Sequence, residues 1–317
     1  MMLETVGFFV LGLVLLALGG DSVVKGASGM ARHFGFSPLL AGLVLVAFGT
    51  SVPELAVNLR AVAQGLPDLA MGNAVGSNIV NFGLTLGAAA VAAPLLVRWR
   101  ALSLLLASVV AGTVLVTVLA WDGVLGRVDG ALLVVAFLGI VAWVFARSQD
   151  ESPAVRAELE AYTLTGDDLA LNLIRFALAI VLLYFGSRFV VGSAPELGRG
   201  LGLLPMMTGL LPVAIGTALP EVAAAIAAAR RHQGDMVAGH VIGASLFNLL
   251  LVLGGLALWN PMVVPGQFLR IELPAAAVLA LMLVPMMRGD MQVSRREGVI
   301  LLVAFAAWVG FELLMLR

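Results

Sequence analysis

Two glutamates in apolar surroundings carry the chemistry of this chain. Glu54 closes the segment Gly49-Thr50-Ser51-Val52-Pro53-Glu54, and Glu221 closes Gly216-Thr217-Ala218-Leu219-Pro220-Glu221. A carboxylate in an intramembrane stretch is expensive and marks a functional site by default. Each segment is also an all-oxygen donor set. Pro53 and Pro220 have no N–H, and each ring crowds the carbonyl four residues back, at Gly49 and Gly216. In lipid a freed carbonyl must find another partner, and a cation is one. Glycine makes local unwinding easy, so a helix break is expected in both segments. Thr50, Ser51 and Thr217 add hydroxyl oxygens. Hard cations such as Ca²⁺ take about 6–8 oxygen ligands, a number that two glutamates and the carbonyls near Thr50 and Thr217 approach. Two negative charges match one divalent ion, and without it they repel across a low-dielectric site. Such a site favours replacing one ion by another over standing empty.

The elements that must position these acids follow from composition. The chain has 317 residues, of which 61% are hydrophobic and 12% charged, where a soluble domain carries about 25% charged residues. Its mean hydropathy is +1.07. This is the composition of a polytopic membrane protein. There is no cysteine, which excludes disulfides and thiolate metal sites. The net charge of −1, without a basic run, excludes nucleic-acid binding. The first twenty residues lack a basic leader and read as a first membrane span, not as a signal peptide. A span needs about 20 mostly apolar residues. Ten are expected, at 5–24, 37–63, 68–91, 101–120, 129–147, 170–192, 205–230, 235–258, 270–287 and 297–316.

An offset of 167 residues superposes the two halves without a gap. Thr50 falls on Thr217, Glu54 on Glu221, Asp68 on Asp235, Gly76 on Gly243, Asn81 on Asn248 and Gly87 on Gly254. The match extends to Val23, Val24, Arg32, Gly35 and Pro38, which fall on Val190, Val191, Arg199, Gly202 and Pro205. Equivalent motifs lie five spans apart, an odd number, so the copies cross the membrane in opposite directions. The expected fold is all-α, with ten transmembrane helices in two inverted five-helix repeats, as in many secondary transporters. The repeats occupy 1–147 and 170–317, and the charged linker 148–169 joins them. With the N-terminus outside, eleven Lys and Arg residues fall on the cytoplasmic side and six on the outer side. The positive-inside rule therefore puts both termini outside a cell (inner) membrane.

A second repeated motif follows each acid, Gly72 to Asn81 (GNAVGSNIVN) and Gly239 to Asn248 (GHVIGASLFN). Gly72, Gly76 and Gly83 are expected to let the third helix pack closely against the second. Ser77 and Asn81 lie four apart on one helical face, where they are either site ligands or helix–helix bonding partners. Asp68 and Asp235 read as N-terminal caps. His240 is either a titratable group near neutral pH or a substitute for an amide that makes one interhelical bond. Met206–Met207 and Met286–Met287 read as lipid-facing or core packing. No span pairs a serine with a nearby histidine in a recognisable catalytic arrangement, and no HExxH motif is present, so the enzyme reading has no support. A passive channel could use the same oxygens, but channels need a continuous path of weak sites.

On these motifs the chain resembles the calcium/cation antiporter superfamily, and within it the prokaryotic sodium/calcium exchanger-like membrane proteins. The resemblance covers essentially the whole chain. It implies alternating access, with transport sites between the second, third, seventh and eighth helices. It implies that Glu54 and Glu221 bind calcium, that Thr50 and Thr217 lend carbonyls and hydroxyls, and that Ala47 and Ala214 give carbonyls toward sodium sites. It also implies that Ser51 and Ser77 are hydroxyl ligands of a sodium site, and that Asn81 and Asn248 take the central polar positions. No cofactor is implied. The transported ions would be Ca²⁺ and Na⁺, with H⁺ as an alternative counter-ion. The partners would be inorganic cations and the lipid bilayer, with no obligate protein partner evident. All departures from the family pattern lie in the second copy. Ala218 and Ala244 stand where serines are expected, and His240 and Ser245 stand where asparagines are expected. The two alanines remove the hydroxyls of the sodium site that would mirror Ser51 and Ser77. Asn248 stands where the potassium-dependent branch has an acid, which argues against potassium dependence.

Overall fold

The computed structural model describes residues 2–35, 51–97, 101–147, 168–288 and 291–315, with 152–154, 157 and 166. The first half contains α1 (Met2–His33), α2 (Val52–Ala63), α3 (Pro67–Ala92), the two-residue strand β1 (Leu95–Leu96), α4 (Ala101–Leu119), β2 (Val124–Leu125) and α5 (Arg127–Arg147). The second half contains α6 (Leu169–Gly200), α7 (Pro205–Arg230), α8 (Gly234–Trp259) and β3 (Met262–Val263). A π-helical turn Phe268–Glu272 then leads into α9 (Leu273–Arg288), followed by β4 (Gln292–Val293) and α10 (Arg295–Met315). Eight of the described helices are long and apolar enough to cross a membrane. The expected second span, 37–63, lies outside the described residues up to position 50, as does most of the 148–169 linker.

The first and sixth helices are longer than the expected spans 5–24 and 170–192, at 32 residues each. At 1.5 Å per residue each is about 48 Å long, well beyond the roughly 30 Å hydrocarbon core. Hydropathy marks only the lipid-immersed part, whereas the helices continue because they pack on each other over most of their length. Gly12 meets Val190 and Gly186, Gly19 meets Leu183, and Gly26 meets Phe176. Numbers rise on one helix as they fall on the other, so the pair is antiparallel. A Cβ on Gly12 would lie 2.8 Å from the Val190 amide nitrogen, which shows how closely the backbones approach at this glycine.

Glycines also place the helices that carry the repeated motifs. Gly72 packs on the Met206 carbonyl, and Gly76 on the Leu210 carbonyl and the Ala214 Cβ. Here numbers rise together, so α3 and the first part of α7 run parallel. Gly254 of α8 meets Gly130 of α5, and Gly298 of α10 meets Gly87 of α3. The strands join the halves in antiparallel pairs, β1 with β4 and β2 with β3.

Two expectations fail locally. Pro220 lies inside α7 without breaking it. One missing N–H is tolerated there because neighbouring turns and side chains satisfy the helix, and the irregular turn lies upstream instead, at the π-helical Gly209–Val213 with Pro212 inside it. In the first copy α2 starts at Val52 with Pro53 in its first turn, a position where the N–H has no helical partner to lose. Asp68 and Asp235 are not caps. Leu66 and Gln233 hold the cap positions without a side-chain bond, and the aspartates lie one or two residues inside, where the macrodipole still favours them. Met206 and Met207 are buried in the core.

Candidate cation site

Glu54 is brought in by the first turn of α2, and Glu221 by the middle of α7. Both are buried, at 1% and 8% exposure. The Thr217 hydroxyl donates to the Ala214 carbonyl at 3.3 Å and stands beside the Glu54 carboxylate. The two carboxylates lie within electrostatic reach of each other. Of the expected carbonyl donors, Ala214 is buried beside this group and packs opposite Gly76. Ala47 and Thr50 lie outside the described residues.

The helices packed against α2 and α7 carry further buried oxygens. Ser51 caps the start of α2, Ser77, Asn78 and Asn81 come from α3, and Ser245 and Asn248 come from α8; all are at most 2% exposed. The Ser51, Ser77 and Ser245 hydroxyls, the Asn78, Asn81 and Asn248 carbonyl oxygens, and one oxygen each of Glu54 and Glu221 have no hydrogen-bond partner among the described residues. Leaving one such group unpaired costs about 1–3 kcal/mol. Unpaired acceptor and hydroxyl oxygens on helices packed against those that carry two buried carboxylates are chemically complementary to a cation. Among the described residues no group of three or more His, Asp or Glu side chains could hold a metal, so the remaining ligands here are neutral oxygens.

The backbone carries a matching irregularity. Asn81 opens the π-helical turn Asn81–Thr85 within α3, and Asn248 lies in the π-helical turn Phe247–Val252 within α8. These wide turns recur at one offset and pack inward, the first on α7 and α8, the second on α2 and α3. Such turns are frequent at functional sites, and no residue type in the motif announces them.

The copies differ beside the acids. In the first, Asn73 Nδ2 donates to Asn58 Oδ1 across α2 and α3 at 2.9 Å. In the second, the equivalent positions are Ala225 and His240. The His240 imidazole lies with Nε2 3.9 Å from Glu221 Oε1. It therefore faces the acid. Two further buried glutamates, Glu272 and Glu312, were not marked by the repeat, because their equivalents in the first half are apolar.

An apolar multi-span fold with paired acids and unpaired oxygens at its centre defines a membrane cation transporter. Comparison with known proteins supplies the family. The model described as sodium/calcium exchanger protein matches residues 4–146 and again 171–314, and the chain belongs to this family. The Inner membrane protein YrbG of Escherichia coli (strain K12) is 35% identical over 98% of this chain and 97% of its own length. The Sodium/calcium exchanger MaX1 of Methanosarcina acetivorans is 29% identical over 96% of this chain and 98% of its own. Among solved structures, the sodium-calcium exchanger NCX_Mj soaked with Na⁺ and Sr²⁺ superposes with a TM-score of 0.69 at 26% identity, covering 98% of this chain and 99% of that one. The chain is a multi-pass membrane antiporter of cations and not an enzyme.

Proposed function

We propose that the chain exchanges Ca²⁺ for Na⁺ across the cell membrane by alternating access, at one central site shared by Glu54 and Glu221. The carrying observation is the set of buried, unpaired oxygens on the helices packed against those that carry the two carboxylates. The architecture proposed is ten helices in two inverted repeats, 1–147 and 170–317, joined by the linker 148–169 and with both termini outside. Support comes from the antiparallel α1–α6 pair and from the family model matching each half once. Thr50, Thr217, Ala47 and Ala214 complete the backbone and hydroxyl ligands. Ser51 and Ser77 form the better sodium site, with Asn81 and Asn248 between the halves. The relatives that carry sodium and calcium in their names favour Na⁺ as the counter-ion.

The lost hydroxyls at Ala218 and Ala244 make sodium binding one-sided. Ser51→Ala or Ser77→Ala is expected to raise the Na⁺ concentration for half-maximal exchange roughly tenfold, the scale of one lost oxygen partner. Calcium binding at the acids is expected to change much less. Sodium and calcium titrations of exchange in proteoliposomes separate the two, and equal shifts for both ions would remove the serines from a distinct sodium site. The counter-ion itself is tested by imposing sodium and proton gradients separately. Calcium movement driven by sodium alone is expected, and movement driven only by a pH gradient would contradict the assignment.

A further inference from the structure

A cavity of about 230 Å³ opens beside α1 and reaches Glu221, lined by Ala17, Gly20 and Asp21 of α1, by Pro53, and by Thr217 and Ala224 of α7. The exposed Asp21–Lys25 ion pair, 2.7 Å long, stands at this part of α1. The repeat requires an equivalent route on the opposite side, between α6 and α2, ending at Glu54. On that side the described residues nearest the acid are closed off, with Val57 fully buried and Glu54 1% exposed. Tyr184 stands there where the open side has Ala17, Ser187 where it has Gly20, Val57 where it has Ala224, and Arg60 where it has Ala227. Every replacement is larger. The Arg60 guanidinium lies over the Tyr184 ring at 5.7 Å from its centroid. With its amide oxygen turned toward Arg60, Gln64 accepts from Nε at 3.0 Å and from Nη2 at 3.1 Å, which fixes the guanidinium in place. Accordingly, α6 packs closely along α2, whereas α1 stands off α7. A second hollow, beside Arg188 and Glu196, has neither glutamate of the site in its lining.

We infer that Arg60 and Tyr184 are gating residues for exchange: their stacked pair latches the route to Glu54 along α6 and biases the chain toward opening along α1. The inference rests on the alternating-access reading. A guanidinium over an aromatic face is attractive even where the ring is half exposed, as that of Tyr184 is. Arg60 belongs to the first half and Tyr184 to the second, and their repeat equivalents are Ala227 and Ala17, so two routes related by the repeat are unequal in stability. By the charge bias, the favoured opening faces the cytoplasm and the latched one faces outside.

The chain has no cysteine, so single substitutions report access without background. Positions 57 and 224 are equivalent; Val57 is fully buried and Ala224 is exposed. With a membrane-impermeant maleimide on sealed vesicles, Ala224→Cys is expected to label fast from one face, and Val57→Cys to label at least about tenfold more slowly from the other. Adding Tyr184→Ala or Arg60→Ala is expected to speed Val57→Cys labelling roughly tenfold and to slow that of Ala224→Cys, the scale of one lost cation–π contact. Tyr184→Phe keeps the ring and is expected to leave both rates unchanged, which separates the latch from general destabilisation. Unchanged Val57→Cys labelling in both alanine variants would overturn the latch, as would loss of the reciprocal slowing at Ala224→Cys. Labelling needs no transported ion, so a chain that shows these shifts but no calcium flux would refute the exchange reading and leave the latch standing.

Discussion

Glu54→Gln and Glu221→Gln are each expected to abolish calcium flux in proteoliposomes while leaving a folded, monodisperse protein. The amide keeps the shape of the side chain and removes its charge. At an effective dielectric of about 20, unit charges about 4 Å apart interact by about 4 kcal/mol, and that is roughly three decades in affinity. The ion in question is doubly charged, so the loss is not offset by the neutral oxygens that remain. Both acids are expected to be needed because they come from opposite halves, α2 and α7, and Thr217 of one half stands beside Glu54 of the other. Flux measured alongside a thermal-stability scan checks this. Removing one of two mutually repelling buried carboxylates is expected to leave the melting temperature unchanged or raised. Normal flux in both variants would remove the acids from the site.

The second large effect is on the scaffold. Gly72→Val and Gly209→Val are expected to eliminate folded protein. A Cβ at Gly72 would lie 2.0 Å from the Met206 carbonyl oxygen, and one at Gly209 would lie 2.1 Å from that of Leu69. The obstructing atoms are backbone, so nothing short of separating α3 from α7 makes room. Those helices carry Ser77 and Asn81 on one side and Thr217 and Glu221 on the other, and the site is lost with the contact. By contrast, Gly139→Ala and Gly192→Ala meet no atom within 4 Å and are expected to be tolerated. Yield of monodisperse protein after detergent extraction reads the difference. Wild-type yield from Gly72→Val would show that the close α3–α7 contact is not required.

Much of the site was legible because a carboxylate buried in lipid is too costly to keep without a role, and that cost singles out Glu54 and Glu221. Their recurrence at a fixed offset added geometry that no single motif carries. The glycine spacing foretold close packing but named the wrong partner: Gly72 and Gly76 pack on α7 and Gly83 on Phe305 of α10, not on α2. What escaped the sequence is of three kinds. The π-helical turns at Asn81 and Asn248 depend on how α3 and α8 pack and leave no mark in residue type. The break expected at Pro220 was moved upstream by tertiary context, since a proline removes one hydrogen bond but does not dictate where the strain appears. Comparison of the repeats favoured what the copies share. It therefore passed over Glu272 and Glu312, and over the larger residues that line one access route. His240 was legible as an anomaly, but its approach to Glu221 required coordinates.

The central claim is obligatory exchange at one site built from both halves. Proteoliposomes loaded with radioactive calcium and diluted into calcium-free medium test it most directly, with external sodium either present or replaced by a large inert cation. Rapid calcium efflux with sodium outside and almost none without it is the predicted result, because two unneutralised buried carboxylates oppose the return of an empty site. Equal efflux in both media would contradict obligatory exchange and identify a passive calcium pathway instead.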